Sequence, residues 1–482
     1  MQDVFHLRYP DQKSEIFLAL THTLWYNMKD KSISKGAITM ENSNALYVGF
    51  GRASIMPEGV VHLAGGDAAK RRSTWAKDTL YVTCIAFQQD TQKILVYTMD
   101  LITADSANAE DAKAAIMEAT GIPEECILLN ATHTHASVSI RTNWDGVQEY
   151  RKLFCASMAQ AGVDALADLA AAEVYYGDTM TERMTFVRHY KLSDGSYAGA
   201  NFGNFKNGEI VGHSSEADGQ LQIVKFARNG KKDILMTTFG AHGTFASTAD
   251  TYISADFPSP TREYIEANND CLVAHFIAAA GDQVPSSRIK TEERFNREEY
   301  KEYGAALGQY VLDALPGLKK LDNTPLKLVT KTVTYPANKE KLHLLPYVDE
   351  VIAKGKELGN INKETVALAR ERGFSSYFEA TAILARSNAP DTRDMNLRTM
   401  TLGQLGFIFA PYEMFGTQGM YIKEHSPCDM TFIVTCSEGA KGYMPSKLGI
   451  QIGCYESCVT QFAPGTAENL AEDFVEMLIQ MQ

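Results

Sequence analysis

The sequence predicts an α/β protein whose mixed β-sheets are flanked by helices, and three observations carry that prediction. Short aliphatic runs, such as Ile127-Leu-Leu129, suit strands covered on both faces. Helical stretches with recognisable stop signals alternate with these runs. Several runs end in glycine, histidine or an acid, at the strand ends where open α/β sheets carry their chemistry.

Taken in order, residues 1–44 are polar, carry scattered aromatics and show no periodicity. They read as an N-terminal extension, within which Met40 offers a later start. One large domain is expected over 45–482. It opens with Leu46-Tyr-Val-Gly-Phe-Gly51, a strand running into glycines. Residues 80–87 and 93–99 read as two strands around a polar turn, the second ending at Asp100. Residues 107–120 form an expected helix, stopped by Gly121 and Pro123. The 127–129 strand follows, then an Ala-rich amphipathic helix over 150–172. Residues 221–226 and 234–239 resemble paired strands, and 272–278 another. Residues 347–387 read as an inserted pair of helices broken at Gly373. Strand character returns at 405–410 and 430–435. A last helix over 467–481 has Thr466 placed to cap it. No heptad, low-complexity tract or short-period repeat is visible.

Composition narrows the function. The 482 residues are 45% hydrophobic and carry a net charge of −13, with no basic run interleaved with aromatics, which argues against nucleic acid as a partner. No apolar stretch is long enough to span a bilayer. The run Ile16-Phe-Leu-Ala-Leu20 is too short for a signal-peptide core. The eight cysteines are scattered without a C-x-x-C pair, so a reducing, cytoplasmic compartment is expected.

The densest chemistry lies in Cys126-Ile-Leu-Leu-Asn-Ala-Thr-His-Thr-His-Ala-Ser137. Alternate residues of a strand share a face, which puts His133 and His135 side by side at its end. Paired imidazoles are a natural start to a zinc site. The plainer reading has both rings satisfying hydrogen bonds in a polar loop. His242, in Gly240-Ala-His-Gly243, follows another strand, and its glycines permit close backbone approach. Taken alone, it reads better as a solvated turn residue. Ser254 or Asp256 can hold free N–H groups ahead of the next helix. Asp282 reads equally as a turn aspartate, a supporting acceptor or a general base. Glu413 follows the 405–410 strand, and Tyr443, Tyr455 and Glu456 lie among glycines. There is no H-E-x-x-H, P-loop, G-x-G-x-x-G after a strand or G-x-S-x-G elbow.

In order, these segments resemble the catalytic domain of the neutral/alkaline ceramidase family, over nearly the whole chain after the extension. Thr132-His-Thr-His-Ala-Ser137 is similar to that family's T-H-T-H-S motif, and Gly49-Phe-Gly-Arg52 to its opening strand. Gly442-Tyr-Met-Pro445, Gly453-Cys-Tyr-Glu456 and Gln461-Phe-Ala-Pro-Gly465 resemble the closing block of its shorter bacterial members. The resemblance implies one zinc ion held by His133, His242, Glu413 and Tyr455. It implies His135 as an active-site partner and Arg188 as a substrate-binding arginine. Two departures stand out. Gly281-Asp-Gln-Val-Pro-Ser286 puts Val284 where the long enzymes carry a catalytic serine, and their C-terminal immunoglobulin-like domain has no counterpart here.

The expected reaction is therefore zinc-dependent hydrolysis of an amide, with metal-activated water attacking a lipid-like or small N-acyl substrate. His135 or Asp282 would pass the proton to the leaving amine, and Arg188 would orient the substrate. Three rivals remain. An amidohydrolase barrel also opens with His-x-His, but here more than 80 residues precede the pair and later histidines are sparse. A ceramidase-like fold acting on a small soluble amide or ester is the second. A non-catalytic binding protein with a degenerate site is the third, and Val284 favours it.

Overall fold

The computed structural model describes residues 45–482, apart from 67, 69, 104–105, 141–143, 200–207, 248 and 440. The extension expected over 1–44 lies outside the described residues.

The chain repeats one topology three times. The first unit comprises β1 (Tyr47–Ser54), β2 (Tyr81–Gln89), β3 (Gln92–Met99), α1 (Ser106–Thr120) and β4 (Ile127–Ala131). Its first three strands are antiparallel neighbours, and α1 then crosses over to lay β4 parallel to β3. After α2 (Val147–Ala167), the second unit follows the same path through β5 (Ala170–Met180), β6 (Gln220–Arg228), β7 (Asp233–Phe239), α3 (Pro258–Asn268) and β8 (Cys271–Ile277). Helix α4 (Tyr300–Ala314) leads to the third unit. There β9 (Leu326–Pro336) is separated from its partner by α5 (Val348–Leu358), α6 (Lys363–Glu371) and α7 (Tyr377–Asn388). The unit then runs through β10 (Thr392–Leu402), β11 (Leu405–Phe409), α8 (Gly416–His425) and β12 (Met430–Val434), with β12 again parallel to β11. Helix α9 (Thr466–Met481) closes the chain.

Units one and two share a nine-stranded sheet in the order β8-β7-β6-β5-β1-β2-β3-β4, with Lys319–Leu321 joined to β5. Unit three forms its own four-stranded sheet. The two sheets face each other across one apolar core, in which Phe50, Phe87, Phe226, Met236 and Phe276 meet Met400, Phe407 and Phe432. Helices cover the outer faces: α1 and α2 over unit one, α3 and α4 over unit two, and α9 over unit three. This is the α/β arrangement the sequence predicts.

Gly49 and Gly51 explain how α2 lies so close to β1. A Cβ at Gly51 would fall 2.1 Å from the Ala161 carbonyl oxygen, and one at Gly49 would fall 2.0 Å from that of Ala165.

The elements differ from expectation in four places. The helix expected over 150–172 stops at Ala167, and Ala170 already belongs to β5, because an alanine run has no period to mark the change. The 347–387 pair is three helices, since Gly359 (φ 110°) breaks the chain as Gly373 (φ 91°) does. Helix α9 begins at Thr466 itself, after a left-handed Gly465 that provides no side-chain cap. The long strands β9 and β10 have no counterpart among the expected elements, because threonines, lysines and arginines fill their half-exposed faces.

Candidate metal centre

Every unit ends its third and fourth strands at the same place, and those ends carry the polar residues. Unit one contributes Asp100 after β3 and His133 after β4. Unit two contributes His242 after β7 and Asp282 after β8. Unit three contributes Glu413 after β11 and Cys436 after β12. The seam is stitched by Asn130 donating to the Thr435 carbonyl and by Thr238 donating to that of Ile433 (2.8 Å). The His133 and His242 loops run so close that a Cβ on Gly243 would sit 3.0 Å from the Thr134 Cα. His135 N–H bonds the Gly243 carbonyl there at 3.0 Å. The glycine beside His242 therefore serves close approach.

His133, His242 and Glu413 converge. His133 Nε2 lies 3.2 Å from His242 Nε2, and Glu413 Oε2 lies 3.2 Å from the first and 3.3 Å from the second. His135 Nε2 is 3.4 Å from His133 Nε2. The other ring nitrogens are taken: His133 Nδ1 donates to the Ile102 carbonyl (2.7 Å) and His242 Nδ1 to that of Ala280 (2.5 Å). A proton held on Nδ1 leaves Nε2 as a bare lone pair, the tautomer that metal-bound histidines have fixed by such contacts. Glu413 Oε2 is buried and has no hydrogen-bond donor.

Lone pairs facing each other at this distance repel unless a positive charge sits among them. A tetrahedral zinc with bonds of about 2.0–2.1 Å would set its ligand atoms about 3.3 Å apart. The observed separations match that edge. With no cation between them, a proton on His133 serves the same end, pairing it with an ionised Glu413. Burial lowers the His133 pKa, but Cys436 and Glu413 together lift it well above the ordinary imidazole range. Burial works against the Glu413 charge, yet His133 and His242 hold its carboxyl well below the usual value. Burial, reinforced by Arg188, brings His242 down to about 4. His135 is pushed well below 6.5 by burial and by the two neighbouring imidazoles.

Two tyrosines lie beside these donors, Tyr443 and Tyr455. Tyr443 places its hydroxyl 3.5 Å from His242 Nε2. Tyr455 packs edge-on against the Tyr443 ring, with centroids 5.8 Å apart. The pairing of Glu413–Met414 with Tyr443–Met444 as parallel strands brings Tyr443 in, and Tyr455, packed against it, feels the charge of Glu413.

Arg188 and Asp282 both make contacts within the scaffold. The Arg188 guanidinium donates to Glu456 Oε1 (2.7 Å) and to the Gly281 carbonyl (2.8 Å), and lies 5.5 Å from the Tyr443 ring centre. Glu456 also accepts from His189 (2.9 Å) and is fully buried. Asp282 Oδ1 accepts the Gly416 N–H (2.8 Å), and Gly281 N–H donates to the Met414 carbonyl (2.6 Å), which fixes the Glu413 loop. Gln283 ties in the other loop: its carbonyl accepts His242 N–H (3.0 Å) and its side chain donates to the Gly240 carbonyl (2.7 Å). Asp256 accepts from Phe245 and Phe257 N–H, as expected of a residue ahead of α3.

Solved structures share most of this architecture. The crystal structure of neutral ceramidase from Pseudomonas aeruginosa aligns with a TM-score of 0.68 at 15% identity, covering 91% of this chain and 75% of that one. A ceramidase complexed with C2 aligns at 0.69, with the same identity and coverage. This chain has the neutral ceramidase fold. No protein-family profile matches the sequence, and neither does any curated protein. Within this ceramidase fold, Val284 pairs with Phe186 in a short antiparallel ribbon. Ser286 is exposed, and Ser287 donates to Glu292 (2.9 Å). Among the described residues no helix is long and apolar enough to cross a membrane.

Proposed function

We propose that this chain hydrolyses the amide bond of an N-acyl substrate, using one divalent cation held by His133, His242 and Glu413. The observation that carries the reading is the triangle of bare donor atoms 3.2–3.3 Å apart, one from each structural unit. Two imidazoles and a carboxylate favour zinc. Bound there, zinc would supply Lewis acidity to a carbonyl oxygen and to water.

The remaining residues divide the work. His135 lies beside His133, with Nε2 3.4 Å from Nε2, where an imidazole can take up a proton and return it to the leaving amine. Tyr455, beside Glu413, is the candidate fourth ligand, and Tyr443 presents a second hydroxyl 3.5 Å from His242 Nε2. Arg188 serves by fixing Glu456 and supporting the Tyr443 ring. Asp282 serves by anchoring α8 and the Glu413 loop. Of the two proton carriers the sequence left open, this favours His135.

The test is metal analysis of the purified protein together with amine release from N-acyl substrates. One zinc per chain and turnover that a chelator abolishes are expected. His133→Ala should lower zinc affinity by more than about tenfold, since even supporting contacts are worth ~10–100-fold. A protein that retains metal and turnover in that variant overturns the assignment. The binding-protein reading rests on Val284, and zinc uptake without any turnover would favour it.

A further inference from the structure

The three helices that interrupt unit three reach Tyr455. Helices α5 to α7 pack around an apolar cluster of their own, with Val348, Val351, Phe374, Ala380 and Ile383 at its heart, apart from the inner core. Helix α7 faces the donors. Phe378, in its first turn, meets the Tyr455 ring edge-on with centroids 6.3 Å apart. The Tyr455 ring is thus flanked by Phe378 and by Tyr443.

In the last turn of α7, Arg386 is buried and reaches the backbone that carries Tyr455. Its Nη2 donates to the carbonyls of Cys458 (2.7 Å) and Thr460 (2.8 Å), and its Nε donates to Thr460 as well (3.1 Å). Those carbonyls close the short helix Tyr455–Val459, which begins at Tyr455 itself. The last carbonyls of a helix lack partners within it, and so short a helix does not persist by itself. A planar guanidinium supplies fixed donors to both carbonyls, and they in turn satisfy a buried charge. The first turn is held from unit two, where Arg188 and His189 donate to Glu456. Tyr455 therefore rides on a segment clamped at one end by unit two and at the other by the insertion. Such a clamp matters to a metal ligand, because a coordinate bond tolerates only roughly 0.2 Å of displacement.

We propose that the insertion is a positioning element for the metal centre, in which Arg386 and Phe378 hold Tyr455 where its oxygen completes the donor set of His133, His242 and Glu413. This rests on the metal reading above, with Tyr455 as fourth ligand, and goes beyond it by giving the insertion a task. The coupling is reciprocal: the factor by which the docked insertion strengthens zinc binding is the factor by which zinc strengthens docking.

The experiment uses the full-length protein. Competition with a chromogenic chelator gives zinc affinity, the visible spectrum of the cobalt(II)-loaded protein reports coordination, and amide exchange across α7 reports docking. Arg386→Met should weaken zinc binding by about tenfold or more, as contacts that orient a ligand do, and move the cobalt spectrum toward that of Tyr455→Phe. Arg386→Lys, which keeps a donor, should recover part of the loss. In the Tyr455→Phe background, Arg386→Met should change affinity by less than about twofold, because the group it positions is gone. Phe378→Ala leaves the arginine in place and tests the same link if Arg386→Met does not fold. Zinc should slow exchange across α7 in the wild type and not in Tyr455→Phe. A wild-type protein that takes up neither metal removes the metal reading and this proposal with it. Zinc binding weakened in Tyr455→Phe but intact in Arg386→Met and Phe378→Ala overturns the positioning role alone. An equal loss from Arg386→Met in both backgrounds does the same, since that marks an arginine needed only for folding. Unchanged affinity in Tyr455→Phe also overturns it and leaves a site completed without that oxygen.

Discussion

His133 adopts a left-handed backbone conformation (φ 64°), and Cys436, at the matching point of unit three, does the same (φ 51°). Each follows a threonine two residues past the end of a fourth strand, and the sharp turn brings the two side chains together, with Cys436 Sγ 3.6 Å from His133 Nδ1. The sequence disclosed His133 because its strand was unmistakable. It could not disclose that Tyr443 also comes to the donors, since that depends on a short parallel pairing between distant segments. The distinction is measurable. Tyr455→Phe should lower zinc affinity more than about tenfold if its oxygen completes the donor set, and Tyr443→Phe should leave the metal in place. The opposite order would pass the ligand role to Tyr443.

Among the elements, the closest approaches are the most sensitive. Strand β1 and helix α2 touch through Gly51, where an added Cβ would meet the backbone oxygen of Ala161. Gly51→Ala should cost about 1–3 kcal/mol, the usual range for overpacking a tight contact. A denaturant titration would show that loss while zinc stoichiometry stays unchanged. Gly243→Val acts on the other seam, pushing the His133 and His242 loops apart. Its zinc affinity should fall more than its stability, and the reverse order would show that the loops do not set the donor spacing. The sequence exposed most central strands and the α1 and α9 helices, where apolar runs and stop signals are strong. It hid β5, β9 and β10, whose outer faces are polar and whose inner faces are completed by another part of the chain.

At the scale of the whole molecule, the threefold recurrence of strands and crossover helix escaped the sequence because the units share topology and carry very different insertions. Three helices interrupt unit three alone. All three units contribute to one inner core, so calorimetric and van't Hoff enthalpies for residues 45–482 should agree in a single transition. Separate transitions would show that the units unfold independently. Stability should also depend on acidity through Glu456. Burial opposes its charge, but Arg188 and His189 hold its pKa far below the ordinary value. As pH falls through the usual carboxylate range, about 4.3, the unfolded chain takes up a proton that the folded one refuses, so stability declines. Glu456→Gln should be less stable at pH 7 and show a shallower decline between roughly pH 5 and 3. An unchanged slope would place the acid sensitivity elsewhere. The allocation of one donor to each unit bears on assembly as well. A half-assembled chain owns at most two of the three grips. Under the proposed zinc site, ion capture would therefore be a late event, open only to a fully docked polypeptide.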